Sequence, residues 1–216
     1  MHIIWHGQSF FQIQLSQSKG EQTTLAIDPF DETIGLKPPS FAADVLLISH
    51  NHADHNNKKA IKGEPFLIEG PGEYEIKEIF IQGILCFHDN VQGKERGQST
   101  IYIIEAEDMR LCHLGDIGQK ELSPEQLEKI GDIDILMIPV GGVYTVDGKE
   151  ANHIISQLEP KIIIPMHYHL PKSKSKLEGV EKFLKETGRK SVVPQPKLLV
   201  KSKDLSEETK IVVLQP

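Results

Sequence analysis

The segment Asp44–Ser49 (Asp-Val-Leu-Leu-Ile-Ser) constrains this chain most. A short continuous apolar run suits a strand buried on both faces, so the sheet that holds it must be covered on each side. The run leads straight into His50-Asn51-His52-Ala53-Asp54-His55. In an extended segment residues i and i+2 point to the same side, so His50 and His52 can reach one metal ion. A turn into a short helix over Ala53–Ile61 swings Asp54 and His55 toward a second ion. Imidazole nitrogen and carboxylate oxygen are the ligand types of a catalytic zinc site. Four such residues within six positions, directly after an apolar strand, weigh against a plain helix-capping loop.

Elsewhere the first part of the chain reads as short strands: Ile3–Trp5, Phe10–Leu15, Thr23–Ile27, Phe66–Ile68, Ile79–Phe87, Ser99–Glu105 and Arg110–His113. Turn residues at Gly7-Gln8-Ser9, Ser16–Glu21 and Gly70-Pro71-Gly72-Glu73-Tyr74 separate some of them. The second half alternates. Ser123-Pro124-Glu125-Gln126 carries N-cap, N1 proline and first-turn acid for a helix. Strand Asp134–Ile138, helix Lys149–Leu158, strand Lys161–Ile164, helix Lys176–Thr187 and strands Lys197–Val200 and Ile211–Leu214 follow. Strands first, then strand and helix in alternation, predict an α+β fold: a four-layer αββα sandwich, as one domain over residues 1–216. The 216 residues carry 24 Lys+Arg and 31 Asp+Glu, or 24 − 31 = −7. That balance argues against a surface built for nucleic acid or anionic membrane. Two cysteines make no disulfide framework. Cys86 and Cys112, in apolar strand patterns, suit inert buried thiols. No signal peptide or spanning segment is read, so a cytoplasmic protein is expected.

Three later segments repeat the context of a polar ligand at the end of an apolar strand: Leu85-Cys86-Phe87-His88-Asp89, Leu111-Cys112-His113-Leu114-Gly115-Asp116 and Ile162-Ile163-Ile164-Pro165-Met166-His167. Brought together by the sheets, His88, Asp116 and His167 supply the ligands a metal pair still needs. The full order, His-x-His-x-Asp-His, single His, Gly-Asp and late His, resembles the metallo-β-lactamase superfamily. The likeness is nearest to its bacterial and archaeal metal-dependent hydrolases, including ascorbate-phosphate lactonase-like proteins. Trp5–Phe10 resembles the family's opening strand and turn, and Ile27-Asp28-Pro29 its early aspartate motif. Gly97-Gln98-Ser99-Thr100 follows the single histidine, and Pro165–Tyr168 resembles the final-His motif.

The resemblance implies the αββα sandwich and specific roles. His50, His52 and His88 hold one ion, Asp54, His55 and His167 the other, and Asp116 bridges. It implies two Zn²⁺ per chain, with Mn²⁺ or Fe²⁺ as alternatives. Relatives with di-iron oxygen chemistry carry Glu where this chain has His52, which disfavours that branch. Two cations about 3.5–4 Å apart hold a bridging hydroxide that attacks a carbonyl or phosphoryl centre. The expected activity is hydrolysis of an ester, lactone or phosphodiester in a small, phosphorylated substrate. The alternative is a nuclease or other nucleic-acid-processing phosphodiesterase on the same metals. Partners are therefore a small-molecule substrate, no membrane, nucleic acid disfavoured, and a homo-oligomer left open.

Around the ligands, Asp54 is expected to orient the hydroxide and count as catalytic. Asp28 and His113 are candidates to hydrogen-bond ligand imidazoles. His169, two residues after His167, is a candidate to touch substrate or donate a proton. Gln8 stands where many relatives carry a histidine, which bears on substrate contacts. Tyr144, in the loop after Asp134–Ile138, can line the pocket. Pro171–Lys190 has seven basic and three acidic residues, 7 − 3 = +4, and can attract an anionic substrate, although a solvated helix face explains it as well. His2, His6 and His153 receive no role.

Overall fold

In the computed structural model, which describes residues 1–17 and 20–216, alternation of apolar and polar residues builds the opening hairpin. β1 (His2–Trp5) and β2 (Phe11–Ser16) pair antiparallel and turn Ile3, Trp5, Phe11, Ile13 and Leu15 into the core. Each such side chain contributes roughly 1.5–3 kcal/mol of burial. Of the turn expected over Ser16–Glu21, Ser18 and Lys19 lie outside the described residues. β3 (Gln22–Ile27) adds antiparallel to β2. After the two-residue β4 (Phe41–Ala42), β5 (Val45–Ile48) enters parallel to β3. β6 (Ile61–Lys62) pairs with β4, and β7 (Phe66–Glu69) lies parallel to β5.

The second sheet starts as an antiparallel meander of β8 (Gly72–Ile76), β9 (Ile79–Phe87), β10 (Gln98–Ala106) and β11 (Met109–His113). The chain then alternates. Helix α1 (Pro124–Ile130) leads to β12 (Ile135–Pro139), and helix α2 (Gly148–Leu158) to β13 (Ile162–Met166), both strands joining in parallel. Helix α3 (Val180–Glu186) follows. β14 (Leu198–Leu199) crosses to the edge of the first sheet beside β1, and β15 (Lys210–Ile211) returns beside β13. The sheet orders are β14-β1-β2-β3-β5-β7 and β15-β13-β12-β11-β10-β9-β8.

The main core joins the inner faces of both sheets to Ile130 of α1, Ala151 and Ile154 of α2 and Phe183 of α3. β5 is buried on both faces, as its run of apolar residues requires: Val45 and Leu47 face the main core, while Leu46 and Ile48 join a second cluster with Phe10, Phe30 and Ile61. That second cluster is roofed by the segment from Phe30 to Phe41, with its 3₁₀ turn Glu32–Ile34, rather than by an α-helix. The α+β sandwich is thus present, with its α-helices packed from the second half of the chain.

Three local expectations change. Residues 53–61 form turns and a 3₁₀ turn at Lys58–Ala60, not a helix. The backbone there is committed elsewhere: Asn57 N–H donates to Pro29 O, and its side-chain Nδ2 to Phe30 O. The expected helix from Lys176 begins only at Val180, because Glu178 is extended, giving its N–H to Gly141 O and accepting from His169 N–H. The turn expected over Gly70–Tyr74 already enters β8 at Gly72. The expected Ser123 cap forms a capping box with Gln126, and Asp147 forms a second with Glu150 at the start of α2. Among the described residues no helix is long and apolar enough to cross a membrane.

Candidate metal centre

Four strands deliver the ligands from their carboxyl ends: β5 into His50–His55, β9 into His88, β11 into Asp116 and β13 into His167. The loops that follow leave strand geometry abruptly. His167 has φ 51° and Gly115 φ 54°, and a Cβ on Gly115 would lie 2.8 Å from Ser99 Oγ and 2.9 Å from Ser49 Cβ. The glycine lets the Asp116 turn close against β10 and the start of the histidine loop.

Two groups result. His50, His52 and His88 form one, and Asp54, His55, Asp116 and His167 the other, each with its ligand atoms within 4.8 Å of one another. In the first, His50 Nε2 lies 3.0 Å from His52 Nδ1. In the second, Asp116 Oδ2 is 3.0 Å from His55 Nε2 and 3.2 Å from His167 Nε2, and Asp54 Oδ2 is 3.5 and 3.9 Å from the same atoms. Asp116 Oδ2 is also 3.5 Å from His88 Nε2, so one oxygen touches both groups.

These spacings fit cations. Two donors about 2.1 Å from one ion at a tetrahedral angle stand about 3.4 Å apart. His55 Nε2 is fully buried and makes no hydrogen bond, although carboxylate oxygens lie close by. Burial works against charge on His55 and His167, but the Asp116 carboxylate overcomes it, with help from Asp54 and, for His55, Asp28. His55 is raised well above the usual imidazole value and His167 to about 9. Burial likewise opposes ionisation of Asp54 and Asp116. Their close contacts and charge interactions with His55 and His167 nevertheless hold both well below the carboxylate range. Burial, then the nearby His55 charge, push His50 down to about 3, and burial lowers His88 too. The second group therefore collects positive charge around two carboxylates, a demand that a divalent cation meets; in the first, His50 and His88 are held as neutral imidazoles, the form that ligates.

Outside the ligands, Asp28 is fully buried at φ 52°. Its Oδ2 accepts from Ser49 Oγ at 2.6 Å and faces His55 Nδ1 at 3.1 Å, and Oδ1 accepts from Ser49 N–H at 2.7 Å. This aims His55 Nε2 inward. Ser49 Oγ is also 3.0 Å from His50 Nδ1. His113 touches no ligand imidazole. Its Nε2 meets Ser9 O at 3.1 Å and its Nδ1 accepts from Gly115 N–H, while Ser9 Oγ donates to Asp116 Oδ1 at 3.2 Å. It braces the Asp116 turn instead. Sequence alone gives Ser9 and Ser49 no role; for Ser49 the place directly before His50 is an available signal, while Ser9, in the opening turn far from any ligand segment, has none. Gln8, 3% exposed, reaches both Asp54 and His167. His6 packs on Phe10 and Phe41, away from the ligands.

His169 is exposed, its Nδ1 3.4 Å from Ser175 O, and is not in either ligand group. Tyr144 lines a cavity of about 210 Å³ beside His88, with the Arg96 guanidinium 4.8 Å above its ring. A second cavity of about 240 Å³ adjoins His50, lined by Ile48, Asn51, Pro71, Leu85 and Gln98 among others. Asp54 and His52 are the ligands most open to solvent. Within the basic segment, Lys182 is paired with Glu178.

The sequence pattern of the Beta-lactamase superfamily domain matches residues 2–167. A UPF0173 metal-dependent hydrolase of Staphylothermus marinus is 28% identical over 194 residues, 77% of this chain and 83% of its own. The crystal structure of a proposed Zn-dependent hydrolase of the metallo-beta-lactamase superfamily from Thermotoga maritima superposes with TM-score 0.79 at 34% identity, over 99% of this chain and 97% of that one. An isothiocyanate hydrolase from Delia radicum gut bacteria shares the fold at 13% identity, with TM-score 0.64 over 94% of this chain and all of its own.

Proposed function

The chain belongs to the metallo-β-lactamase superfamily as a metal-dependent hydrolase, and from that premise we propose that it uses two zinc ions to cleave an ester, lactone or phosphodiester bond in a small, phosphorylated substrate. The observation that carries the two-ion reading is Asp116 Oδ2, one buried oxygen within 3.5 Å of donors from both ligand groups. His50, His52 and His88 would hold one ion, and Asp54, His55 and His167 the other, with Asp116 between. When bound, such a pair polarises the bond under attack and lowers the pKa of water at the site toward about 7.

The protein's own groups do the rest. Asp28 holds His55 with Nδ1–H outward and Nε2 free to ligate. Ser9 and His113 hold Asp116 through its other oxygen and its turn. Asp54, kept ionised and partly open to solvent, orients the attacking water rather than serving as a strong base. Cavities of about 210 and 240 Å³ beside the ligands suit a small molecule. The excess of basic residues over Pro171–Lys190, following His167, supports an anionic group on the substrate.

Metal analysis of the purified protein should find about two divalent ions per chain. A panel of phosphorylated lactones, phosphodiesters and carboxylic esters should show hydrolysis that Asp54→Ala lowers at least about a hundredfold. No metal uptake on addition of zinc, or full activity in Asp54→Ala, would overturn the reading.

A further inference from the structure

Gln8 is a site residue outside the seven ligands. It occupies the turn between β1 and β2 in a left-handed conformation, φ 52°. Its carbonyl accepts from the buried Trp5 Nε1 at 2.9 Å and from the His167 backbone N–H at 2.9 Å. This clamp ties the Gln8 backbone to the very residue its side chain then approaches. The terminal amide atom nearest the ligands is 3.0 Å from Asp54 Oδ2 and 3.0 Å from His167 Nε2.

As Nε2, that atom has a good acceptor in Asp54. It has a poor one in His167 Nε2, whose lone pair belongs to a cation in the reading above. A half-turn of the amide exchanges nitrogen for oxygen at nearly the same place. A neutral amide nitrogen does not ligate, whereas a glutamine carbonyl oxygen does. Two donors on arms of about 2.1 Å set at right angles are about 3.0 Å apart, the spacing between neighbouring ligands in shells larger than four. Gln8 shows that spacing to two ligand atoms at once.

We propose that Gln8 is a fifth ligand of the second cation, its Oε1 joining Asp54, His55, Asp116 and His167. The inference rests on the two-ion reading and adds a ligand outside the seven. It makes the pair chemically unequal. The first ion has three imidazoles and a shared carboxylate; the second has three oxygens and two imidazoles. A fifth, oxygen ligand moves the second position away from tetrahedral zinc and toward harder cations such as Mn²⁺.

The test strips the metal from the wild-type chain, Gln8→Ala and Gln8→Glu, and titrates each with Co²⁺ followed by calorimetry and the visible spectrum. The first equivalent should bind alike in all three. The second should bind about 10–100-fold more weakly in Gln8→Ala, with the more intense visible band of a four-coordinate ion. In Gln8→Glu it should bind at least as tightly as in the wild type, because a carboxylate oxygen replaces the amide oxygen. Unchanged affinity or an unaltered spectrum in Gln8→Ala overturns the proposal. So does weakened binding in Gln8→Glu, which would show the amide acting as a donor to Asp54. Circular dichroism checks folding; if Gln8→Ala does not fold, the sign of the Gln8→Glu effect decides. A wild-type chain that takes no second equivalent refutes the two-ion reading itself. A wild type with two equivalents and indifferent variants refutes only the role of Gln8.

Discussion

Replacing Asp28 by Asn keeps the shape of a fully buried side chain but reverses one hydrogen bond. In the native site three groups face the carboxylate: Ser49 N–H at 2.7 Å, Ser49 Oγ at 2.6 Å and His55 Nδ1 at 3.1 Å. Asparagine can still accept from Ser49 N–H through Oδ1. Its NH₂ then points at Ser49 Oγ, which can accept, and at His55 Nδ1, which cannot accept while protonated. In the neutral form a ligand requires, His55 must then carry its proton on Nε2, the atom that faces Asp116 at 3.0 Å and Asp54 at 3.5 Å. A protonated Nε2 does not ligate. One charge-assisted hydrogen bond is lost, costing about 1.5–3 kcal/mol of stability. A ligand held in the wrong tautomer should weaken the second cation about 10–100-fold. Calorimetric metal titration reads the affinity, and urea unfolding of the metal-free protein reads the stability. Asp28→Asn that binds two ions with wild-type affinity would refute the argument that Asp28 sets the tautomer of His55.

Two further outcomes follow from the same site. Stability of the metal-free protein should peak near pH 6.5 and fall on both sides. His50 is lowered to about 3, and His88 and His113 are also lowered, burial being the first cause for each; their contribution is present above the unfolded value of about 6.5 and is lost as pH falls. His55 and His167 are raised, so theirs is present below about 6.5 and lost at higher pH, for His167 as pH rises through about 9. For His167, 9 − 6.5 = 2.5 pH units corresponds to on the order of 3 kcal/mol; urea melts showing no loss between pH 6.5 and 9.5 would contradict this. Gly141→Ala would place a Cβ 2.2 Å from His167 O and 3.0 Å from Tyr168 Cα, both backbone. A shift of the His167 turn should cost about 1–3 kcal/mol and weaken the second cation, read as a lower thermal midpoint and a weaker second binding step; wild-type values for both would show that the turn absorbs the methyl freely.

The ligand residues were legible because they lie where apolar strands stop. β5 and β13 announce themselves as buried runs and β9 and β11 as mostly apolar strands, and a His or Asp at the end of such a strand has few solvent-facing alternatives. The spacing His50-x-His52 also carries its own geometry. The short segment that follows did not read correctly. Ala53–Ile61 has helix-compatible residues, but Asn57 spends its N–H on Pro29 O and its amide on Phe30 O, partners more than twenty residues away. Local propensity amounts to tenths of a kcal/mol per residue and yields to such bonds.

The residues around the ligands divide in the same way. Asp28 and His113 are both candidates from sequence, although His113 reads equally well as a plain polar strand residue. Only the packing of the two sheets separates them: Asp28 meets His55, while His113 meets Ser9 O and Gly115 N–H and steadies Asp116 from behind. His169 shares the rhythm of His167 but turns out to Ser175. What the sequence by itself determined is the chemistry and its order along the chain: buried strands, the ligand types at their ends, and the two-residue step that aims His50 and His52 together. What only the tertiary structure decided is which atoms meet. Asp116 Oδ2 reaches both groups, and Gln8 reaches Asp54 and His167, across separations of 46 and 159 residues for the latter pair. Side-chain periodicity carries direction within one strand, but the distance between strand ends depends on how two twisted sheets pack, which no local spacing encodes.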